Sequence, residues 1–134
     1  TRLEFSAESG SGSRMQWNHR GSGHVQVTVD CPDVFFQEAF TLDNGLPCQD
    51  RKCWHFGEEG IIFRHFREQR FQDILLLVPD AGGIHLVAQM PYSCPPDRYD
   101  GSLSLHDGTL ELRLRITGAR KDEDIRYRYR ADPG

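Results

Sequence analysis

Residues 101–130 read GSLSLHDGTLELRLRITGARKDEDIRYRYR, and the alternation within them decides the fold. Leu103, Leu105, Leu110, Leu112, Leu114 and Ile116 alternate with Ser, His, Glu and Arg, while Ile125, Tyr127 and Tyr129 alternate with Arg126, Arg128 and Arg130. Successive side chains of a β-strand point to opposite faces, so this period of two marks half-buried strands. His106-Asp107-Gly108 and the stretch from Thr117 to Asp122 interrupt it with turn-forming residues. Three consecutive antiparallel strands are predicted.

Extended segments continue toward the N-terminus. Leu3 to Glu8 alternates weakly, Ser9 to Ser13 is a Gly/Ser turn, and Arg14 to Arg20 puts Met15, Trp17 and His19 on one face of a short strand. Gly21-Ser22-Gly23 reads as punctuation before His24 to Cys31, whose β-branched Val25, Val27 and Val29 favour a strand. Val34 to Leu42 follows the Pro32-Asp33 turn, with Phe36, Glu38, Phe40 and Leu42 on one face. A loop is expected from Asp43 to about Arg51, then a hairpin of Lys52 to Glu58 and Gly60 to Arg67. Phe71 to Val78 contains an apolar run that reads either as a strand buried on both sides or as helix. Ile84 to Met90 is a further strand, and the proline-rich segment Pro91 to Pro96 belongs at a rim. Strands spaced roughly ten residues apart, without an amphipathic helix, point to one antiparallel domain over residues 1–134. A closed barrel is expected, because closure removes the edges that many short strands would expose.

Composition narrows the function classes. Hydrophobic content of 37% with 27% charged residues suits a water-soluble globular domain, and no apolar run approaches the roughly 18 residues of a membrane span. Neither a membrane partner nor a secretory leader is indicated, so a cytoplasmic location is expected. A net charge of −4 argues against nucleic acid as partner. The sixteen basic residues are fourteen arginines with Lys52 and Lys121, a skew that suits bidentate recognition of carboxylate or phosphate and that high-GC coding also produces. Cys31, Cys48, Cys53 and Cys94 lack zinc-ribbon spacing, and reduced, mostly buried thiols are expected, with no metal and no cofactor.

Cys94-Pro95-Pro96-Asp97-Arg98-Tyr99-Asp100-Gly101, followed by a strand and then Thr117-Gly118-Ala119-Arg120-Lys121-Asp122 leading into Tyr-Arg-Tyr-Arg, resembles the C-terminal half of an uncharacterised, mainly bacterial domain family. Residues Gly23 through Phe66 are compatible with the same family. Ala119 stands where that family's turn usually carries proline, and Tyr92 where a histidine is expected two residues before the cysteine. The resemblance implies an all-β, antiparallel up-and-down barrel of lipocalin-like (calycin) type, with about 8–10 strands. It implies no activity.

Phosphate loops, paired metal-ligand histidines, nucleophile elbows and dinucleotide fingerprints are all missing from the sequence. Arg113 and Arg115 share one strand face, and Arg126 and Arg128 share a face of the next. Either acidic neighbours and water offset their mutual repulsion on an outer wall, or some turn inward to hold an anion. Trp17, Trp54, His65, His85 and Tyr127 are further candidates for lining a ligand cavity, since aromatic rings join an apolar face to a polar handle. Glu38, His65 and Tyr99 are the candidates for acid–base chemistry, although Glu38 among aromatics also reads as a carboxylate facing solvent or an arginine. The leading expectation is a barrel that binds an apolar or aromatic small molecule, an anionic one if an arginine turns inward. The alternatives are a small barrel isomerase, cyclase or lyase, and an interaction module with a filled interior.

Overall fold

The computed structural model describes residues 1–9 and 18–132. These residues form eleven strands and no helix: β1 (Arg2–Ser9), β2 (His19–Asp30), β3 (Asp33–Leu42), β4 (Pro47–Phe56), β5 (Ile61–Arg67), β6 (Arg70–Pro79), β7 (Leu86–Ala88), β8 (Tyr92–Cys94), β9 (Asp97–His106), β10 (Thr109–Gly118) and β11 (Asp122–Arg130). Every pairing is antiparallel, and β11 returns to pair with β1, Leu3 opposite Tyr129. β7 and β8 lie one after the other along the same edge of β9, with Leu86 opposite Leu103 and Tyr92 opposite Tyr99. Together they fill one place in the wall, which is a closed 10-strand barrel.

The barrel has two distinct ends. The turns β3–β4, β5–β6 and β10–β11 lie at the upper end, and the turns β2–β3, β4–β5 and β9–β10 at the lower end. Both described termini are also at the lower end, where the Thr1 amine meets Asp132 at 2.9 Å.

Alternation sorts each strand into an inner and an outer row. Leu3, Phe5 and Ala7 of β1, Phe36, Phe40 and Leu42 of β3, Leu112 and Leu114 of β10, and Ile125, Tyr127 and Tyr129 of β11 are all buried. A ten-strand wall encloses more volume than aliphatic side chains fill easily, and aromatic rings take up the space. Phe5 packs on Phe40 at 5.1 Å and Tyr127 at 5.2 Å, while Phe36 meets Tyr129 at 4.9 Å and Trp54 at 5.7 Å. The β5–β6 pairing slips between Phe63 and Arg64, so Ile74 and Leu75 are both buried in succession. That bulge accounts for the uninterrupted apolar run of β6.

Several expectations are corrected. β4 begins at Pro47, so residues 47–51 belong to the wall and not to a loop. Gly21 and Gly23 lie inside β2, which runs on from His19, and are not a break between strands. A Cβ on Gly23 would stand 2.0 Å from the Ala39 carbonyl oxygen, so the wall closes tightly there only without a side chain. The strand expected over Ile84 to Met90 shrinks to three residues. The strand expected from Arg14 to Arg20, with Trp17, falls mostly outside the described residues. All four cysteines are free, but Cys31 and Cys94 are exposed and only Cys53 is fully buried.

Candidate functional site

The inner row of the upper half carries charge. β3 contributes Glu38, β4 contributes Asp50 and Lys52, and β5 contributes His65 and Arg67. The register sets Glu38 opposite Asp50 and Lys52 opposite His65. The Lys52 ammonium donates to Glu38 Oε1 at 2.6 Å and to Asp50 Oδ2 at 2.9 Å. The Tyr129 hydroxyl donates to the other Glu38 oxygen at 2.6 Å. His65 Nε2 meets Asp50 Oδ1 at 2.6 Å, and Arg67 Nε donates to His65 Nδ1 at 3.3 Å. Since Nδ1 accepts from Arg67, the imidazole proton sits on Nε2 and is donated to Asp50. One connected chain therefore runs Tyr129, Glu38, Lys52, Asp50, His65, Arg67.

This chain climbs from closed interior toward the upper mouth. Lys52 and Glu38 have no exposed side-chain surface, whereas Asp50 and His65 are 17% and 18% exposed. Aromatic faces complete the cage: the Lys52 ammonium lies 3.6 Å from the Tyr127 ring centroid, and the Arg67 guanidinium carbon 5.1 Å from that of Tyr99. Tyr92 packs beside Tyr99 at 5.9 Å.

Burial on its own would destabilise each of these ions. Desolvation pushes the Asp50 carboxyl up, but the His65 hydrogen bond and the Lys52 ammonium outweigh it and hold it at about 2. Desolvation likewise disfavours the Lys52 cation, but Tyr127, Glu38 and Asp50 overcome this and raise it above the usual lysine value. Burial pushes the Tyr127 hydroxyl up to about 12 and that of Tyr129 well above its ordinary value, so both phenols stay protonated.

Arg67 differs from the other interior ions. Glu38, Lys52 and Asp50 each have an opposite charge within 4 Å, whereas Arg67 forms no ion pair among the described residues. Arg70 lies directly opposite Arg67 across the β5–β6 hairpin, at a position of the same inner row, and it too forms none. Glu68 and Gln69, which join them, hold left-handed φ angles of 52° and 71°. A two-residue hairpin turn with both central residues at positive φ favours Asn-Gly, so this turn keeps the two arginines opposed at a conformational cost.

The remaining candidates lie elsewhere. Trp54 is buried between Phe36 and Phe63 in the lower half, and its indole N–H finds no acceptor among the described residues. His85 is exposed in the loop after β6. Arg113, Arg115, Arg126 and Arg128 occupy the outer row, because Leu112, Leu114, Ile125 and Tyr127 hold the inner one. None of them turns inward. Arg113, opposite Arg126 in register, binds Asp124 through two hydrogen bonds of 3.0 and 2.8 Å. Asp124 also lies 3.7 Å from Arg126, so one carboxylate offsets the opposed pair, and the Arg113 hydrogen bond in turn lowers the Asp124 carboxyl. Arg115 pairs with Asp122, and Arg128 with Glu111. Among the described residues no three of His, Cys, Asp and Glu converge as metal ligands.

The centre of the barrel is packed. Lys52, Phe63, Leu3, Leu77 and Leu112 have no accessible surface, so no water-sized void touches them. A groove of about 630 Å³ lined by Glu4, His24, Thr41 and Gln49 lies on the outside of the wall.

Fold and interior together define an all-β protein, a closed up-and-down barrel whose packed core carries a chain of paired charges. The chain belongs to a family of unknown function, DUF6314, whose model matches residues 9–131. A de novo designed fluorescence-activating β-barrel is similar in structure, with a TM-score of 0.51 and 13% identity, covering 97% of this chain and 91% of the designed one. At that identity the likeness shows the fold alone. No curated protein matches the chain.

Proposed function

We propose that the protein binds a small anionic molecule with an aromatic or apolar body at the upper mouth of the barrel, its acidic group paired with Arg67. The observation that carries this reading is that Arg67 is the one ion of the inner chain without a carboxylate partner among the described residues. An arginine facing only a histidine nitrogen and a tyrosine face has most of its guanidinium N–H groups available for a bidentate partner. Arg70 adds a second positive charge, and Tyr92 and Tyr99 supply rings against which an aromatic body can stack. Asp50 and His65 hold Arg67 from below. The ligand sits at the mouth because the centre is filled.

Binding accounts for the site better than proton transfer does. Both oxygens of Glu38 and both ring nitrogens of His65 are already engaged by protein groups. An outside acid or base would have to displace those partners first.

Calorimetric titration with 2-naphthoate and with its neutral counterpart 2-naphthalenemethanol tests the reading. The carboxylate is expected to bind at least about tenfold more tightly than the alcohol, with an advantage that shrinks at high salt and disappears in Arg67→Ala. Equal affinity for the two compounds, or naphthoate binding that survives Arg67→Ala, would overturn it.

A further inference from the structure

The lower end of the barrel has the opposite character. Val27, Val29, Phe56, Ile84 and Leu105 are between 42% and 75% exposed there. Four of them lie on inner rows: Val27 and Val29 continue the row of Val25, Phe56 that of Trp54, and Leu105 that of Leu103. They are the positions where the inner face runs past the packed core and out of the barrel. Ile84 joins them from the loop after β6. An apolar lip spread over β2, β4, β9 and that loop is a surface that water alone does not stabilise.

Two further observations specify what covers it. Trp54, one inner position above Phe56, is 3% exposed, and its indole N–H is a buried donor without an acceptor among the described residues. A buried N–H left unpaired costs free energy that an incoming acceptor recovers. The loops at this end carry Glu58, Glu59, Asp80 and Asp107 and no lysine or arginine, and Asp30 ends β2 beside them. The arginines that reach this end, Arg2, Arg130 and Arg64, lie on outer rows, and Arg64 is already engaged by Asp73 and lies 3.9 Å from Asp33. A carboxylate or phosphate approaching the lip meets a ring of like charge.

We infer that the lower end is a second binding site, independent of the upper mouth, for an uncharged apolar molecule bearing a carbonyl or ether oxygen, with the apolar body on the lip and the oxygen accepting from Trp54 Nε1. Phe56 and Leu105, 53% and 67% exposed, have few packing partners to lose if they shift to admit the ligand. The two ends thus sort ligands by charge. The anion goes to Arg67, and the neutral molecule goes to the lip.

The test uses 2-nonanone and nonanoate, which share chain length and differ in charge. Binding is followed by calorimetry and by the indole N–H proton resonance of Trp54, assigned with Trp17→Phe. The ketone is expected to bind, to move the Trp54 indole proton downfield and to bind at least about tenfold more tightly than nonanoate. Leu105→Ser and Phe56→Ser, both at exposed positions, are expected to weaken it about tenfold without altering the fold, and Trp54→Phe to weaken it by a similar factor. Saturating 2-naphthoate leaves ketone binding unchanged, which separates this site from the upper mouth. The inference is overturned if the ketone does not bind, if nonanoate binds as tightly, or if the indole proton does not move. It is also overturned if naphthoate displaces the ketone, or if Leu105→Ser instead abolishes a dimer while the natural chain ignores the ketone.

Discussion

Replacing Lys52 by methionine puts the inner charges to the most direct test. The Lys52 side chain is wholly buried and is the shared partner of Glu38 at 2.6 Å and Asp50 at 2.9 Å. Methionine keeps the length and much of the volume of the stem, so little of the effect comes from a cavity. What is lost is the only cation among the described residues that touches the Glu38 carboxylate, which is itself fully buried. Removing one partner of a buried ion pair destabilises by about 3–5 kcal/mol, because the remaining charge is left in a medium that solvates it poorly. With a urea slope of about 2 kcal/mol per molar, the unfolding midpoint falls by roughly 2 M. Adding Glu38→Gln removes the stranded charge while leaving an amide oxygen for the Tyr129 hydroxyl. The double variant should therefore be more stable than Lys52→Met alone, with a coupling of about 1–3 kcal/mol. Urea unfolding of the natural chain, both single variants and the double variant closes the cycle. A loss below about 1 kcal/mol for Lys52→Met, or strict additivity of the two substitutions, would refute the claim that this ammonium neutralises the core.

Two other outcomes follow from the geometry. Asp50 is held at about 2 against an ordinary 3.8, and a depressed folded value means stability that is complete above the ordinary value and lost as pH falls toward 2. That difference corresponds to about 2 kcal/mol, so Asp50→Asn should cost roughly this much at neutral pH and flatten the acid limb between those two values, as read by urea unfolding against pH; an unchanged limb would contradict the assignment. In the β5–β6 turn, Gln69→Gly relieves a non-glycine residue at φ 71° and should raise stability by about 0.5–1 kcal/mol, a gain of a few degrees in melting temperature; a lowered melting temperature would show that the turn is not strained.

How much of this was legible in the sequence depends on what the two faces of each strand carry. β10 and β11 show apolar residues on one face and arginines or acids on the other, so alternation alone assigns both rows, and the arginines fall outside. Glu38 stood out because Phe36, Phe40 and Leu42 share its face. β4 gives no such contrast: Cys48, Asp50, Lys52 and Trp54 face inward, while Gln49, Arg51, Cys53 and His55 face outward. Both rows mix polar and apolar groups, so periodicity cannot orient the strand, and Asp50 and Lys52 were missed. Cys53 deepens the ambiguity, since it is buried on the outer face opposite Phe35, near the Phe35–Phe71 contact of 5.6 Å.

The usable signal was register. A hairpin closed by the Asp43–Leu46 turn sets Thr41 opposite Pro47 and hence Glu38 opposite Asp50, one inner position from Lys52. Taken singly, each of these three residues belongs at the surface, because a lone buried charge costs far more than folding can offset. Their burial is tolerable only as a set, with Lys52 between two carboxylates and Tyr129 on the free oxygen. A property that exists only for the set cannot be read from any one position, whereas the wall repeats at every second residue. The same logic singles out Arg67: once Glu38, Lys52 and Asp50 are matched among themselves, it is the member of that hydrogen-bonded chain left without an anion among the described residues, and the proposed ligand would complete the set.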